Sequence, residues 1–248
     1  MNLILFYPEE IAEDTKYVCL SGRRAEHIFS IHRANVGDCL KAGVIGGKIG
    51  EARVLYISKE KIEFSFTELN DPPFPSNVTL VIALQRPKTL KKIIQSTVSF
   101  GIKKIIFIES WKVEKSYWQT PLLSAEKLTD QIILGLEQGV DTIFPKIEFK
   151  KRFKPFVEDE LSVMINQRVH GRNVRAILLH PGEYTKINKF CVEQDKKFDE
   201  NILVFGPEGG FTEYEVNKFV EVGCEVCSLT QRILRTEYAV MTALGNFC

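Results

Sequence analysis

Apolar positions change their spacing near residue 71. Before it, Lys48 to Ile57 and Lys61 to Leu69 alternate or run apolar, as strands do. Gly46-Gly47 ahead of them is a hairpin signal. Arg23 to Arg33 predicts a helix whose Ile28 and Ile31 share a buried face. Asp71-Pro-Pro-Phe-Pro75 is a stiff, extended break. It divides the chain into a β-rich segment, 1–72, and a second segment, 73–248.

Beyond the break, strands and helices alternate. Asn77 to Ala83 is a strand, and Lys88 to Phe100 a helix, because Leu90, Ile93, Ile94, Thr97 and Val98 fall on one face. Lys103 to Glu109 is a buried strand. Pro121 to Gly139 is a helix carrying Leu128, Ile132, Ile133 and Leu136 on one side. Ile143 to Phe149, Val174 to Leu179, Ile202 to Phe205 and Glu225 to Leu229 read as strands, and Phe153 to Gln167 as a charged helix. Repeated βα units with apolar strands imply an α/β fold with a parallel sheet covered on both faces.

Two of these units carry chemistry. After Ile202 to Phe205 comes Gly206-Pro207-Glu208-Gly209-Gly210. Three glycines in five residues let a ligand approach the backbone closely. Thr212 and Glu215 then have capping-box spacing and should open a helix. After the next strand, Thr230-Gln231-Arg232-Ile233-Leu234-Arg235 forms a second loop, with Thr236 as the cap of a final helix. Each loop alone reads equally well as an ordinary turn with solvated charges. Together they put a glutamate and two arginines at one sheet edge, where open α/β sheets bind small molecules. The Gly-x-Gly-x-x-Gly spacing of dinucleotide enzymes is absent, and the loop does not follow the first strand.

Composition adds limits. The 33 basic and 32 acidic residues nearly cancel, so any nucleic-acid role must come from local patches. Arg86, Lys88, Lys91 and Lys92 form one such patch at a helix start, where positive charge is unfavourable and needs another reason. A phosphate partner is one reason; plain solvation is the other. Arg23, Arg24, His27 and Arg33 are a second patch, open to the same two readings. No apolar run is long enough to span a bilayer, and the N-terminal residues carry no basic n-region or cleavage site. A cytoplasmic location is expected, with the six cysteines reduced. Cys224 and Cys227 lack a matching second pair, so no metal is expected.

Gly206-Pro-Glu-Gly-Gly-Phe-Thr212, followed by Gln231-Arg-Ile-Leu-Arg-Thr-Glu237, resembles the RsmE family of SPOUT methyltransferases. Glu26-His-Ile-Phe-Ser-Ile-His-Arg-Ala-Asn-Val-Gly-Asp38 is similar to that family's N-terminal PUA-like, RNA-binding barrel. The resemblance implies a C-terminal trefoil knot holding S-adenosylmethionine. It also implies a homodimer and methylation of uridine N3 in small-subunit (16S) ribosomal RNA, free or in the assembled subunit. The cofactor contacts it implies are Leu179, His180 and Pro181; Gly206, Glu208, Gly209 and Gly210; and Leu229, Thr230, Ile233, Leu234 and Thr236. Arg232 and Arg235 would face the uracil, oriented by Glu208 and Glu237. The two basic patches would hold RNA. Thr230 stands where the family usually has glycine, Tyr238 where it has threonine, and Asp141 where it has arginine. Ser96 and Ser99 stand where lysine and glutamate are usual. These departures keep two alternatives in view: a different RNA, or a ribosome-binding factor without catalysis.

Overall fold

The computed structural model describes residues 2–12, 16–32, 34–166, 173–187 and 198–248, and for Arg23, His27, Ile31 and His32 the backbone only. The chain forms two units, residues 1–74 with 133–144, and residues 75–132 with 145–248.

The first unit is built on a six-stranded mixed sheet. Its strands are β1 (Ile4–Phe6), β2 (Ile11–Ala12), β3 (Tyr17–Ser21), β4 (Cys39–Val44), β5 (Ile49–Ile57) and β6 (Lys61–Asn70), in the order β1-β4-β5-β6-β3-β2. The β1–β4 pair is parallel and the others antiparallel. Alternation along β6 sends Ile62, Phe64 and Phe66 inward. Phe64 and Phe66 meet Phe6 at ring-centroid distances of 5.7 and 5.5 Å. The Gly46-Gly47 turn joins β4 to β5, with the Gly47 amide donating to the Val44 carbonyl at 2.8 Å. Helix α1 (Gly22–His27) widens into a π-turn over Ile28–His32, and Ile28 is buried.

The second unit carries a seven-stranded sheet, every described pair of which is parallel. Its strands are β7 (Val78–Ala83), β8 (Lys104–Ile108), β9 (Lys146–Lys150), β10 (Val174–Leu179), β11 (Thr185–Lys186), β12 (Glu200–Phe205) and β13 (Glu225–Ser228). The order is β11-β13-β10-β12-β7-β8-β9. All six residues of β7 and of β10 are buried, as strands covered on both faces require. The helices are α2 (Pro87–Ser99), α3 (Ala125–Gly139, of which residues 133–139 belong to the first unit), α4 (residues 153–165, a π-turn between two α-turns), α5 (Glu213–Glu221) and α6 (Thr236–Phe247). The face of α2 that is buried carries Leu90, Ile93, Ile94, Thr97 and Val98.

Three boundaries differ from those the sequence predicts. Pro121–Leu123 is a separate 3-10 turn, because Thr120 caps it and Ser124 then breaks away in extended conformation before α3 begins. The strand expected at Ile143 starts at Lys146, since Asp141 uses its carboxylate to cap the Ile143 amide at 2.9 Å and holds a turn there. The cap of α6 is Arg235 and not Thr236, which lies inside the first turn and is buried.

Candidate cofactor and RNA site

The strand order explains why three loops meet. β10 lies between β12 and β13, in parallel register, with Leu179 opposite both Phe205 and Cys227. Parallel strands end at the same edge, so the segments after Leu179, Phe205 and Ser228 emerge side by side. They frame an open cleft of about 620 Å³.

The first wall is Leu179, His180 and Pro181. The His180 amide donates to the Cys227 carbonyl at 3.0 Å, which ties this loop to β13. The second wall is Gly206, Glu208 and Gly210, with Phe205 and Pro207. Gly210 has φ +68°, a left-handed conformation that a side chain disfavours. At Gly206 a Cβ would stand 3.2 Å from both the Phe211 ring and its amide, a tight fit that favours glycine in this turn. The third wall is Leu229, Thr230, Arg232, Ile233, Leu234 and Thr236, with Ala239 from the first turns of α6. The Thr230 hydroxyl is committed inside its own loop, accepting from the Arg232 amide at 2.9 Å and donating to its carbonyl at 2.6 Å.

The glycine loop is stapled from outside. Thr212 and Glu215 form the capping box the spacing predicts. The buried Glu215 carboxylate accepts from the Thr212 amide at 2.8 Å, its hydroxyl at 2.9 Å and the Trp111 amide at 2.8 Å. Lys112 Nζ donates to the Gly209 carbonyl at 2.8 Å. Gln85, fully buried, donates from Nε2 to the carbonyls of Ala83 at 2.7 Å and Gly206 at 3.1 Å. His180 is held below the ordinary imidazole range, first by burial and then by the Lys112 ammonium.

All the cofactor contacts expected from the sequence except Gly209 line the cleft. Arg232 does so as well, and Arg235 caps α6 beside it. The carboxylates are partnered otherwise than expected. Glu208 pairs with Arg86 Nε at 3.4 Å, and the buried Glu237 with Lys92 Nζ at 3.8 Å. The reason is packing: Arg86 follows β7, which pairs with the β12 strand leading to Glu208, and α2 lies against α6, which brings Lys92 to Glu237. Arg86, Lys88, Lys91 and Lys92 are all exposed. In the other unit, Arg24 is not a free cation. Its guanidinium donates to Glu10 at 2.6 Å and to the Leu5 carbonyl, and it covers the Tyr7 ring at 5.6 Å. Arg33 and the side chains of Arg23 and His27 lie outside the described residues.

Sequence reasoning misses Phe205, Pro207 and Ala239 as lining, and Gln85 and Lys112 as supports. Gln85 has a signal, being the first polar residue after the apolar run Val78–Leu84 apart from Thr79. Lys112 has none. Cys224 and Cys227 are both buried and neither is in a disulfide, and burial pushes Cys224 up to about 12. Among the described residues, no group of three or more His, Cys, Asp or Glu could hold a metal ion. No described helix is long and apolar enough to cross a membrane.

The fold and cleft define a class that comparison with known proteins names. Residues 72–247 match the family model for the RNA methyltransferase domain. The ribosomal RNA small subunit methyltransferase E of Treponema pallidum is 28% identical over 250 residues, covering 98% of this chain and 89% of the relative. Methyltransferase E 1 of Borreliella burgdorferi is 28% identical over 244 residues, covering 98% and 95%. The crystal structure of the Neisseria gonorrhoeae methyltransferase E, bound to S-adenosylmethionine, has TM-score 0.71 at 19% identity and covers 98% of this chain and 95% of its own. A Legionella pneumophila methyltransferase in complex with the same cofactor gives 0.71 at 20%, covering 99% and 96%. The chain belongs to this family of RNA methyltransferase domains and, within it, to the RsmE family.

Proposed function

We propose that the chain transfers the methyl group of S-adenosylmethionine to N3 of a uridine in small-subunit ribosomal RNA. The observation that carries the reading is the convergence of three loops, after β10, β12 and β13, on one cleft with a glycine-rich wall. The donor set fits the cofactor. Leu179, Phe205, Leu229, Leu234 and Ala239 give an apolar slot for a purine, and backbone groups at Gly206, Gly210 and Thr230 give polar contacts. Bound there, the sulfonium supplies the reactive methyl.

The protein's own task is the uracil. N3 carries a proton in neutral uridine and lies on the pairing edge, so the base must be unpaired or flipped and its anion stabilised. Arg232 and Arg235 suit that role, because a guanidinium stays cationic and donates in a fixed fork. They lower the cost of releasing the N3 proton to water. Glu208 and Glu237 act one step back, holding Arg86 and Lys92 at the cleft rim. Arg86, Lys88, Lys91 and Lys92 then bind RNA phosphates.

Three further elements belong to the proposal. The C-terminal strands form a trefoil knot, a reading supported by the insertion of β12 between β7 and β10. The segment 1–72 is a PUA-like RNA-binding domain ahead of a methyltransferase domain, 73–248. The active form is a homodimer, supported by Ile233 and Tyr238, which are 85% and 56% exposed beside the cleft. Asp141 gives no reason to prefer a different RNA. It is buried and caps its own turn, so it presents no anion to a phosphate.

The test is transfer of labelled methyl to small subunits lacking N3-methyluridine, followed by nucleoside analysis. Label in N3-methyluridine is expected. Label in another nucleoside or RNA would replace the substrate. No label and no cofactor binding would leave an RNA-binding factor without catalysis.

A further inference from the structure

A second and larger concavity, of about 1520 Å³, opens on the same unit at the carboxyl end of β8. Its walls include Trp111, Phe153 and Tyr214, with Lys115 and Lys154 at the margin. Trp111 is 85% exposed and Tyr214 55%. A tryptophan left so open forgoes the largest burial gain of any side chain. Its backbone is held, because its amide donates to Glu215 and the adjacent Lys112 donates to the Gly209 carbonyl. The segment that carries the indole is therefore tied to the glycine loop of the cleft.

Charge and place identify the occupant. Lys115 makes no ion pair among the described residues, Lys151 lies 5.8 Å over the Trp118 ring, and Lys154 meets Glu158 only at 3.9 Å. The acids lining the concavity are Glu109 and Glu215. Glu215 is consumed by three donors, and burial pushes the Glu109 carboxyl up. Open aromatic faces interleaved with lysines are what unpaired bases and their phosphates require. β8 stands two strands from β12 in the sheet, roughly 10 Å at ordinary strand spacing. A strand whose target base occupies the cleft passes this platform with its neighbouring nucleotides.

We infer that the Trp111 groove is a stacking site for an unpaired base adjacent to the methylated nucleotide, with Lys115 and Lys154 on the flanking phosphates. The inference rests on the proposed RNA methyl transfer and adds how the single strand is gripped.

The test uses the full chain. Trp111 and Trp118 are the only tryptophans, so in a W118F background Trp111 is the sole indole reporter. Titration with a short single-stranded oligoribonucleotide should quench its emission, and W111A should raise the KM for ribosomal RNA by ~10-fold, the size of one lost stacking contact. Cofactor affinity should be unchanged, and W111F should recover most of the loss. RNA that binds without moving Trp111 emission, or W111A with wild-type KM in an active enzyme, would overturn the inference while leaving methyl transfer standing. Conversion of a dimer to a monomer by W111A would also overturn it, making the groove a self-interface. Quenching in a protein that methylates no RNA would retain the groove and remove the proposed reaction.

Discussion

At the scale of single residues, the roles proposed for the cleft side chains can be tested one by one. Arg232 and Arg235 are exposed and make no ion pair among the described residues, so little of the fold depends on them. R232A and R235A should each remove methyl transfer while leaving the thermal midpoint within a degree or two of wild type, about the shift of an ordinary surface substitution. Near-full turnover in both would reassign the uracil contact. His180 makes a pH prediction. Burial and Lys112 favour its neutral form, which suits a neighbour of a sulfonium cation. As pH falls through this lowered pKa, a second cation forms in the cleft. Affinity for S-adenosylmethionine should therefore weaken at pH values below the usual imidazole range, and calorimetric titration should find H180Q flat over the same interval.

At the scale of elements, two helix ends can be tested. Glu215 joins the α5 cap to the loop carrying Trp111 through three hydrogen bonds. E215A should cost ~1–3 kcal/mol in urea unfolding, since it orphans buried donors as well as a cap. It should also weaken cofactor binding by loosening the glycine loop. An unchanged midpoint would mean water replaces the carboxylate. Glu137, near the end of α3, has its carboxyl pushed up to about 7, chiefly by burial and against the pull of Arg24. A raised carboxylate pKa favours folding only while the group is protonated. Its contribution is whole below the ordinary value of 4.5 and is lost as pH rises to about 7. E137Q should match wild type near pH 4.5 and melt higher than it at pH 7 and above, a difference that thermal scans would detect.

The same scale explains what is legible in the sequence. The strands and α2 are readable because burial on both faces, or on one helical face, leaves a periodic trace. The Thr212-x-x-Glu215 cap is readable because its mechanism is local. The partners of Glu208 and Glu237 are not, because Arg86 and Lys92 are more than a hundred residues away in the chain and reach them only through the pairing of β7 with β12 and the packing of α2 on α6. In the sequence Arg24 looks like one of a row of surface cations. Its engagement with Glu10, Leu5 and Tyr7 depends on how β1 and α1 meet, which no spacing encodes. Asp141 misleads for the opposite reason. The family's arginine at this position invites a reading in terms of RNA, whereas here the aspartate is a buried turn cap.

At the scale of the whole molecule, a net charge of +1 provides little long-range attraction to RNA, so affinity must be local and geometric. Pairing two copies would double the basic rim formed by Arg86, Lys88 and Lys91 without changing the near-neutral balance of either. Sedimentation at micromolar concentration should find a dimer, and I233D, which charges the most exposed apolar residue beside the cleft, should release monomers that have lost methyl transfer. A wild-type monomer with full activity would sink the dimer proposal.

The insertion of β12 between β7 and β10 has a consequence in time. β7 and β10 leave the ribosome first, yet they cannot close on each other without shutting out the strand that follows. The sheet must wait, with a gap at its centre, for residues 200–205. Non-local pairing of this kind is slow, because loop closure comes before any contact rewards it. Two of the three cleft walls follow β10, at the edge of that gap, and β12, which fills it. A chain stopped before Glu200 therefore has five of the seven strands but lacks two of the three cleft walls. The cleft is completed late, by the last two strands and the loops that follow them.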